Sequence, residues 1–461
     1  MHKSSGTLCG AQRLPLTARL PFYYGWIILI AGSLGVLASI PGQTMGVSVF
    51  TDHLIEALQL SRVGLSSAYM AGTLASSFII PFAGVLFDRY GARVVASVAT
   101  LMLSVFLLLF VYSPQLTMGI SSLGIPYHIV AMALAVLGFF GIRFFGQGVL
   151  TLVSRGMVAK WFGPRRGLAV GLMGIVTAFG FSYAPQPLQH LISRFGWQHA
   201  LMLLSAILFF AFLPFVLLVF RSEPAACGLE LEQGMPRPKQ RNNANNEDAL
   251  VSRTLKEAKK DKAFYIILSA MGYWALFNTA FTFHVVSIYQ EVGIMADQAV
   301  KIFLPISIIS IAARFLGSYL SDRISIKYIY VAFTLSIGIA SVALFDLRNP
   351  LGNFMVILGY GIGGGLFGML NIVTWPKLFG RKHIGALSGF AMSIIVAGSA
   401  IGPWIFSIVQ RLTNSFSSTG IIGLVWTMGM LVALWKTSFS LSAENKAADQ
   451  QTKEYTTKKI G

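Results

Sequence analysis

Long apolar stretches separated by short polar ones run the length of the chain. Twelve of them reach the ~20 residues that carry a helix across a bilayer core: 24–50, 62–87, 94–112, 128–153, 167–191, 199–220, 263–290, 299–320, 328–346, 353–374, 386–410 and 419–437. An even number of spans returns the chain to the side it started from. One polar segment between spans is long, 221–262, with Pro224, Pro236, Pro238 and the run Asn242–Asn243–Ala244–Asn245–Asn246. It reads as a tether, with a short amphipathic helix near 249–260. The expected organisation is a tail (1–23), a six-span bundle (24–220), the linker (221–262), a second six-span bundle (263–437) and a tail (438–461).

Composition supports this division. The chain is 55% hydrophobic and 11% charged, too few charges to cover a globule in water. Its net charge of +18 raises the question of nucleic acid. The placement of the charges answers it. Of 35 Lys and Arg, 28 fall in the two tails, the linker and the loops on the tail side. Only Arg62, Arg194, Lys301, Arg348 and Arg411 fall on the other side. That bias puts both termini in the cytoplasm and assigns the basic excess to topology and to anionic lipid surfaces, not to nucleic acid. Cys9 and Cys227 lie in a tail and in the linker and imply neither a disulfide framework nor a metal site. The first apolar stretch follows a polar tail and is too long for a typical signal core, so no signal peptide is read.

The halves echo each other. Span two ends in Gly84-Val-Leu-Phe-Asp88-Arg89-Tyr-Gly91-Ala-Arg93, and span eight in Ser318-Tyr-Leu-Ser-Asp322-Arg323-Ile-Ser-Ile-Lys327. Both carry Asp-Arg and a basic residue five positions after the Asp. The loop after span four reads Phe162-Gly163-Pro-Arg165-Arg166 into Gly167-x-x-x-Gly171. The loop after span ten reads Phe379-Gly380-Arg381-Lys382-His383 into Gly385-x-x-x-Gly389, one residue longer. Two matched signatures in the same order indicate duplication, a common device of transporters.

The Gly84…Asp88-Arg89…Gly91…Arg93 segment resembles the second-to-third loop motif of the major facilitator superfamily, and the likeness extends over essentially the whole chain. It implies an all-α polytopic membrane protein with twelve transmembrane helices in two pseudo-symmetric six-helix bundles, working as a monomer. It also implies that Gly84, Asp88, Arg89, Gly91, Arg93 and, in the degenerate second copy, Asp322 and Arg323 hold neighbouring helices together in one of two alternating states. Arg143-Phe-Phe-Gly146-Gln147-Gly148 resembles the family's basic motif in span four, with Gly and Gln exchanged. Tyr24-Gly25-Trp26, Lys160-Trp161-Phe162, Phe195-Gly196-Trp197 and Arg314…Gly317…Asp322-Arg323 are similar to the branch of monocarboxylate porters and oxalate/formate antiporters. In that branch a span-eight Arg is implicated in carboxylate binding. The basic residue that some members carry in span one or eleven is missing here. The bacterial inner membrane is the expected location.

The charges inside the spans narrow the chemistry. No Asp or Glu lies deep in any of them, whereas Arg143 and Arg314 do. A charge at a helix centre costs about 2.5–3.5 kcal/mol on insertion scales, so each Arg needs a counterpart. An organic anion is one candidate, because a guanidinium grips a carboxylate bidentately. Arg143 could instead donate to carbonyls of a neighbouring broken helix, and Arg314, two turns from Asp322, could serve the cytoplasmic gate. His284 in span seven is either a proton carrier or a satisfied core histidine; coupling to a proton or to a counter-anion both fit. Asn278, Tyr69, Asn371, Gln43, Tyr273 and Trp274 are polar side chains inside spans, either packing partners or substrate contacts. The remaining histidines of the outer ends, His128, His190 and His199, read as interfacial. The Gly359–Gly368 run lies within an apolar span and no strand precedes it, so it reads as close helix packing or a hinge rather than a phosphate loop. No cofactor site and no nucleophile–base constellation is evident, so an enzyme is not expected. A small organic anion moved by alternating access is the leading expectation. An exporter of amphipathic or cationic compounds and a non-transporting sensor are the alternatives.

Overall fold

The structure is a computed structural model that describes residues 23–162, 165–224, 229, 253–321, 323–380, 384–437 and 439. Most of the linker, Asp322 and the two tails therefore lie outside the described residues. Every regular element among the described residues is helical. Eleven segments are long and apolar enough to cross a membrane, and the shorter apolar helix Gly25–Ala38 supplies the twelfth. Helices suit that setting because each satisfies its own backbone polar groups without water.

Where helices end follows from local chemistry. Ser61 accepts a hydrogen bond from the Gly64 amide at the start of helix Arg62–Ser121. Asn349 caps helix Pro350–Phe379, whose first residue is a proline that has no amide to satisfy. Thr254 and Glu257 form a reciprocal capping box on the short helix Leu255–Ala258, inside the stretch expected to be helical in the linker. Span seven follows directly as Lys262–Glu291, with Asp261 capping it.

Two differences from the hydropathy reading have physical causes. The first span is not one helix. After Gly25–Ala38 it passes through a 3-10 turn, Ile40–Gly42, an extended Gln43 and a second short helix, Thr44–Ser48. Pro41 lacks an amide and cannot continue the helical ladder. Several spans also overrun their apolar stretches: span three reaches Ser121, span four Trp161, span five Phe195 and span ten Phe379. Hydropathy marks only the part in hydrocarbon, whereas hydrogen bonding carries the helix on into the interface.

Spans two and three meet at Gly91, where φ is 81° and ψ 170° inside an otherwise helical run. A side chain there would be strained, and a Cβ would also meet the Ser222 hydroxyl, which accepts a hydrogen bond from the Ala92 amide at 2.8 Å. Backbone in this region costs a non-glycine residue about 1–3 kcal/mol. Gly91→Ala should therefore lower the thermal unfolding midpoint of the purified protein by several degrees. An unchanged midpoint would mean the turn relaxes without strain.

The chain divides into two compact units, Met1–Lys239 and Gln240–Gly461. Inside each, the helices pair in the same order. Spans one and five, two and four, and three and six pack in the first; seven and eleven, eight and ten, and nine and twelve pack in the second. Glycines set many of these contacts. Gly72 of span two lies against the backbone of Val136 and Phe140 in span four. Gly398 and Gly402 of span eleven lie against the Gly272 and Leu276 carbonyls of span seven. In lipid, where tails are as apolar as side chains, close backbone approach replaces the hydrophobic drive between helices. Large apolar side chains such as Phe78, Phe82, Phe210 and Val425 stay exposed, as lipid-facing residues do.

Candidate functional site

The two arginines singled out within the spans, Arg143 and Arg314, sit one in each unit and in very different surroundings. In the first unit the carrier of Arg143 is span four. It is α-helical over Tyr127–Gly141, π-helical over Ile142–Leu150 and α-helical again over Thr151–Trp161. Such widened turns are frequent at functional positions. Here the π segment faces the break in span one. Gly42 and Gly146 approach so closely that a Cβ on Gly42 would meet the Ile142 carbonyl and the Gln147 amide.

That approach brings the guanidinium to the broken backbone. One Arg143 nitrogen donates to the Gly42 carbonyl at 3.2 Å and to the Thr44 hydroxyl at 3.3 Å. Tyr69 of span two completes the cluster. Its hydroxyl pairs with Thr44 Oγ1 at 3.0 Å, and its ring lies 5.2 Å from the guanidinium carbon. Gln43 bridges the same break by donating to Ser39 and Thr151 at 2.9 and 3.2 Å. Arg143 is buried, yet among the described residues its Nε has no hydrogen-bond partner, and neither has the buried Oε1 of half-buried Gln147. Of the two readings of Arg143, donation to a broken neighbouring helix is the one this geometry supports. Thr44 carries no signal in the sequence beyond polarity close to Pro41, and Gln147 stands there only as a member of the Arg143–Gly148 motif.

Arg314 is the opposite case. It is exposed on span eight, Phe303–Ser321, and no described residue forms an ion pair or hydrogen bond with it. Its guanidinium packs against Gly368 of span ten, where a Cβ would collide with it. Two turns earlier, Gly361 and Gly365 let the same two helices touch backbone to backbone at Ile306 and Ser310. The glycine run is thus a packing seam, and its last member is the floor under Arg314. Asn371 sits one turn beyond Gly368 on span ten, half-buried and with no hydrogen bond to a described residue.

Span seven carries a second polar cluster. The Tyr360 hydroxyl of span ten donates to Asn278 and pairs with Thr282 at 2.7 Å, while Trp274, Phe277 and Phe281 surround its ring. Asn278 is therefore engaged in joining spans seven and ten. Tyr360 is the residue the sequence reading passed over, hidden inside the glycine run. Tyr273 stacks on Trp426 of span twelve at 4.2 Å. His284 is fully buried. Its Nε2 lies 3.0 Å from the Pro403 carbonyl, which can only accept, so neutral His284 carries its proton on Nε2. Ser407 lies 3.2 Å from the same nitrogen. Pro403 lies inside the continuous helix of span eleven, so the histidine ties span seven to span eleven.

The repeated loops form matching contacts. Lys160, at the end of span four, pairs with Asp88 at the end of span two at 2.8 Å. Lys377, at the end of span ten, donates to the Ser321 carbonyl at the end of span eight. Each lysine stands three residues ahead of the loop glycine, Gly163 or Gly380. Arg89 and Arg323 lie over Tyr90 and Tyr319, 5.3 and 4.1 Å from the ring centres. Gly84 has open space around it and Arg93 is half-buried. Among the described residues no group of His, Cys, Asp and Glu is arranged to hold a metal ion.

Comparison with known proteins agrees with this architecture. The chain is 22% identical to monocarboxylate transporter 14 of Mus musculus, covering 89% of this chain and 90% of that protein. It is 21% identical to monocarboxylate transporter 13 of Rattus norvegicus, covering 89% of each. Among solved structures it is similar to the nucleoside transporter NupG, with a TM-score of 0.61 at 14% identity, covering 89% of this chain and 100% of that one. A bacterial homologue of the human lysosomal transporter Spinster, inward-facing and unoccupied, gives a TM-score of 0.60 at 14% identity over 89% of this chain and 95% of that one. At these identities the structural likeness speaks for the fold. The family model of the Major Facilitator Superfamily matches residues 32–403, and with its multi-pass helical fold the chain belongs to that superfamily of membrane transporters.

Proposed function

We propose that this transporter moves a small organic anion, a monocarboxylate, across the membrane by alternating access, as a secondary active or facilitative carrier. The observation that carries this reading is Arg314: a cation inside a span, exposed, resting on a glycine, and unpaired among the described residues. With no acid deep in any span, a carboxylate substrate is the natural counter-ion. Similarity to monocarboxylate transporters supports the same class. In this reading Arg314 holds the carboxylate and Asn371 adds a neutral donor one turn away. The cluster of Arg143, Tyr69 and Thr44 keeps the break in span one in place, and Asn278 and His284 brace spans seven, ten and eleven. The loop pairs Asp88–Lys160 and Ser321–Lys377 hold span ends together in one of the alternating states. Both termini are cytoplasmic, by the distribution of Lys and Arg.

The test is uptake by the purified protein in liposomes, with a panel of labelled monocarboxylates, dicarboxylates and organic cations. Monocarboxylates should be taken up and should compete with one another, while cations leave uptake unchanged. Competition by cations alone would overturn the reading. Uptake that rises with an inward proton gradient indicates symport; uptake that needs internal carboxylate indicates exchange.

A further inference from the structure

The second unit has a basic cleft of about 460 Å³ where the chain enters span seven and leaves span twelve, lined by neither Arg314 nor Gly368. Arg253, Lys260, Lys262 and Lys436 line it, with Glu257 and Asp261. The two acids are already engaged, Asp261 by Arg253 within the cleft itself. Asp261 pairs with Arg253 at 2.7 Å and accepts the Ala263 amide, and Glu257 accepts the Thr254 amide of its capping box. Lys260, Lys262 and Lys436 are exposed, and none has an ion pair or hydrogen bond with a described residue. Three exposed lysines lining one opening call for a polyanionic oxygen ligand.

The surroundings of the cleft select its source. Trp435, beside Lys436, is 86% exposed, and Tyr265, one turn from Lys262, is 55% exposed. Amphipathic rings so placed mark the level of lipid headgroups. Below Lys436, Val432 and Met428 continue the exposed face of span twelve at helical spacing, an apolar track leading into hydrocarbon. Cations at the headgroup level above an apolar track match a phosphate on a glycerol backbone with acyl chains. A soluble anion would use only the upper half of this arrangement. The tail-side leaflet, proposed above to be cytoplasmic, is also where anionic lipids concentrate.

We propose that this cleft is a binding site for an anionic phospholipid, with Lys260, Lys262 and Lys436 on its phosphate and the exposed stripe of span twelve along its acyl chains. The site does not depend on which solute the protein carries. The test is native mass spectrometry of the full-length, delipidated protein, titrated with phosphatidylglycerol or with phosphatidylcholine of the same acyl chains. Each titration is repeated in the presence of millimolar inorganic phosphate. The parent should retain phosphatidylglycerol over phosphatidylcholine by about tenfold or more, since several juxtamembrane cations act together on one anionic headgroup. The triple variant K260Q/K262Q/K436Q should lose that preference. The variant K301Q/R411Q, which removes cations from the other side, should keep it. Should the triple variant fail to fold, K436Q alone, at an exposed helix end, is expected to reduce the preference severalfold. Equal retention of both lipids by the parent, or full preference in the lysine variants, overturns the proposal. Displacement of phosphatidylglycerol by inorganic phosphate also overturns it, in favour of a soluble anion.

Discussion

Replacing Arg314 by Gln should abolish most carboxylate uptake while leaving the folded protein as stable as the parent. The two halves of that expectation come from the same geometry. Arg314 gives no hydrogen bond to a described residue, so its removal orphans no partner among them. Its guanidinium rests on Gly368 by packing alone, and Gln still covers that glycine. The substrate, in contrast, loses a charge-assisted bidentate contact. Removing one partner of such a pair costs about 2–5 kcal/mol of binding. At about 1.4 kcal/mol per decade, uptake efficiency at low substrate should fall at least about thirtyfold, mainly through KM. Arg314→Lys keeps the charge and loses the planar fork, and should fall between parent and Gln. Gly368→Ala offers a check that leaves the cation in place. A Cβ there collides with the guanidinium, so affinity should drop although no charge is lost. Unimpaired uptake by both Arg314→Gln and Gly368→Ala would rule out this face as the substrate contact.

The second large effect is expected at Arg143, with the opposite signature. Arg143→Ala leaves the Gly42 carbonyl without its side-chain donor, leaves the Thr44 hydroxyl with Tyr69 in place of two partners, and opens a void beneath the Tyr69 ring. A buried acceptor left unsatisfied costs about 1–3 kcal/mol, and the lost hydrogen bonds to a charged group were worth a similar amount. Removing the cation also relieves its insertion cost of about 2.5–3.5 kcal/mol, which offsets part of the loss. The void tips the balance, so the thermal midpoint should fall. The maximal transport rate should fall more than about tenfold, because a span whose break is no longer tied down does not hold one alternating state against the other. KM should change little. Arg143→Lys, with a single flexible ammonium, should recover part of the midpoint. A variant of normal stability and rate but raised KM would move Arg143 into the substrate site. The two arginines are thus separable: one is read in KM, the other in stability and rate.

Much of the architecture was legible along the chain. The twelve apolar stretches, the duplicated Asp-Arg and Phe-Gly loops and the one-sided Lys and Arg each come from a local rule about lipid, turns or membrane charge. The glycine run of span ten was also readable as packing, since no strand precedes it. Less was legible about the sites. Arg143 and Arg314 look alike in sequence: each is a lone cation within an apolar span that holds no acid deep inside it. What separates them is contact across about a hundred positions in one case and about fifty in the other. Gly42 reaches Arg143 only because Pro41 breaks span one and a π segment widens span four. Arg314 has no polar partner among the described residues, and the residue its guanidinium packs against, Gly368, has no side chain to offer one. Tyr360 escaped notice for the same reason, since its partners Asn278 and Thr282 lie on another helix.

The sequence by itself determined that this is a duplicated helical membrane protein with a basic interior, because hydropathy, repeats and charge bias are properties of segments that each segment carries alone. The tertiary structure decided which interior cation is engaged and which is left exposed, because a buried charge takes its meaning from the groups that fold against it, and those come from distant segments.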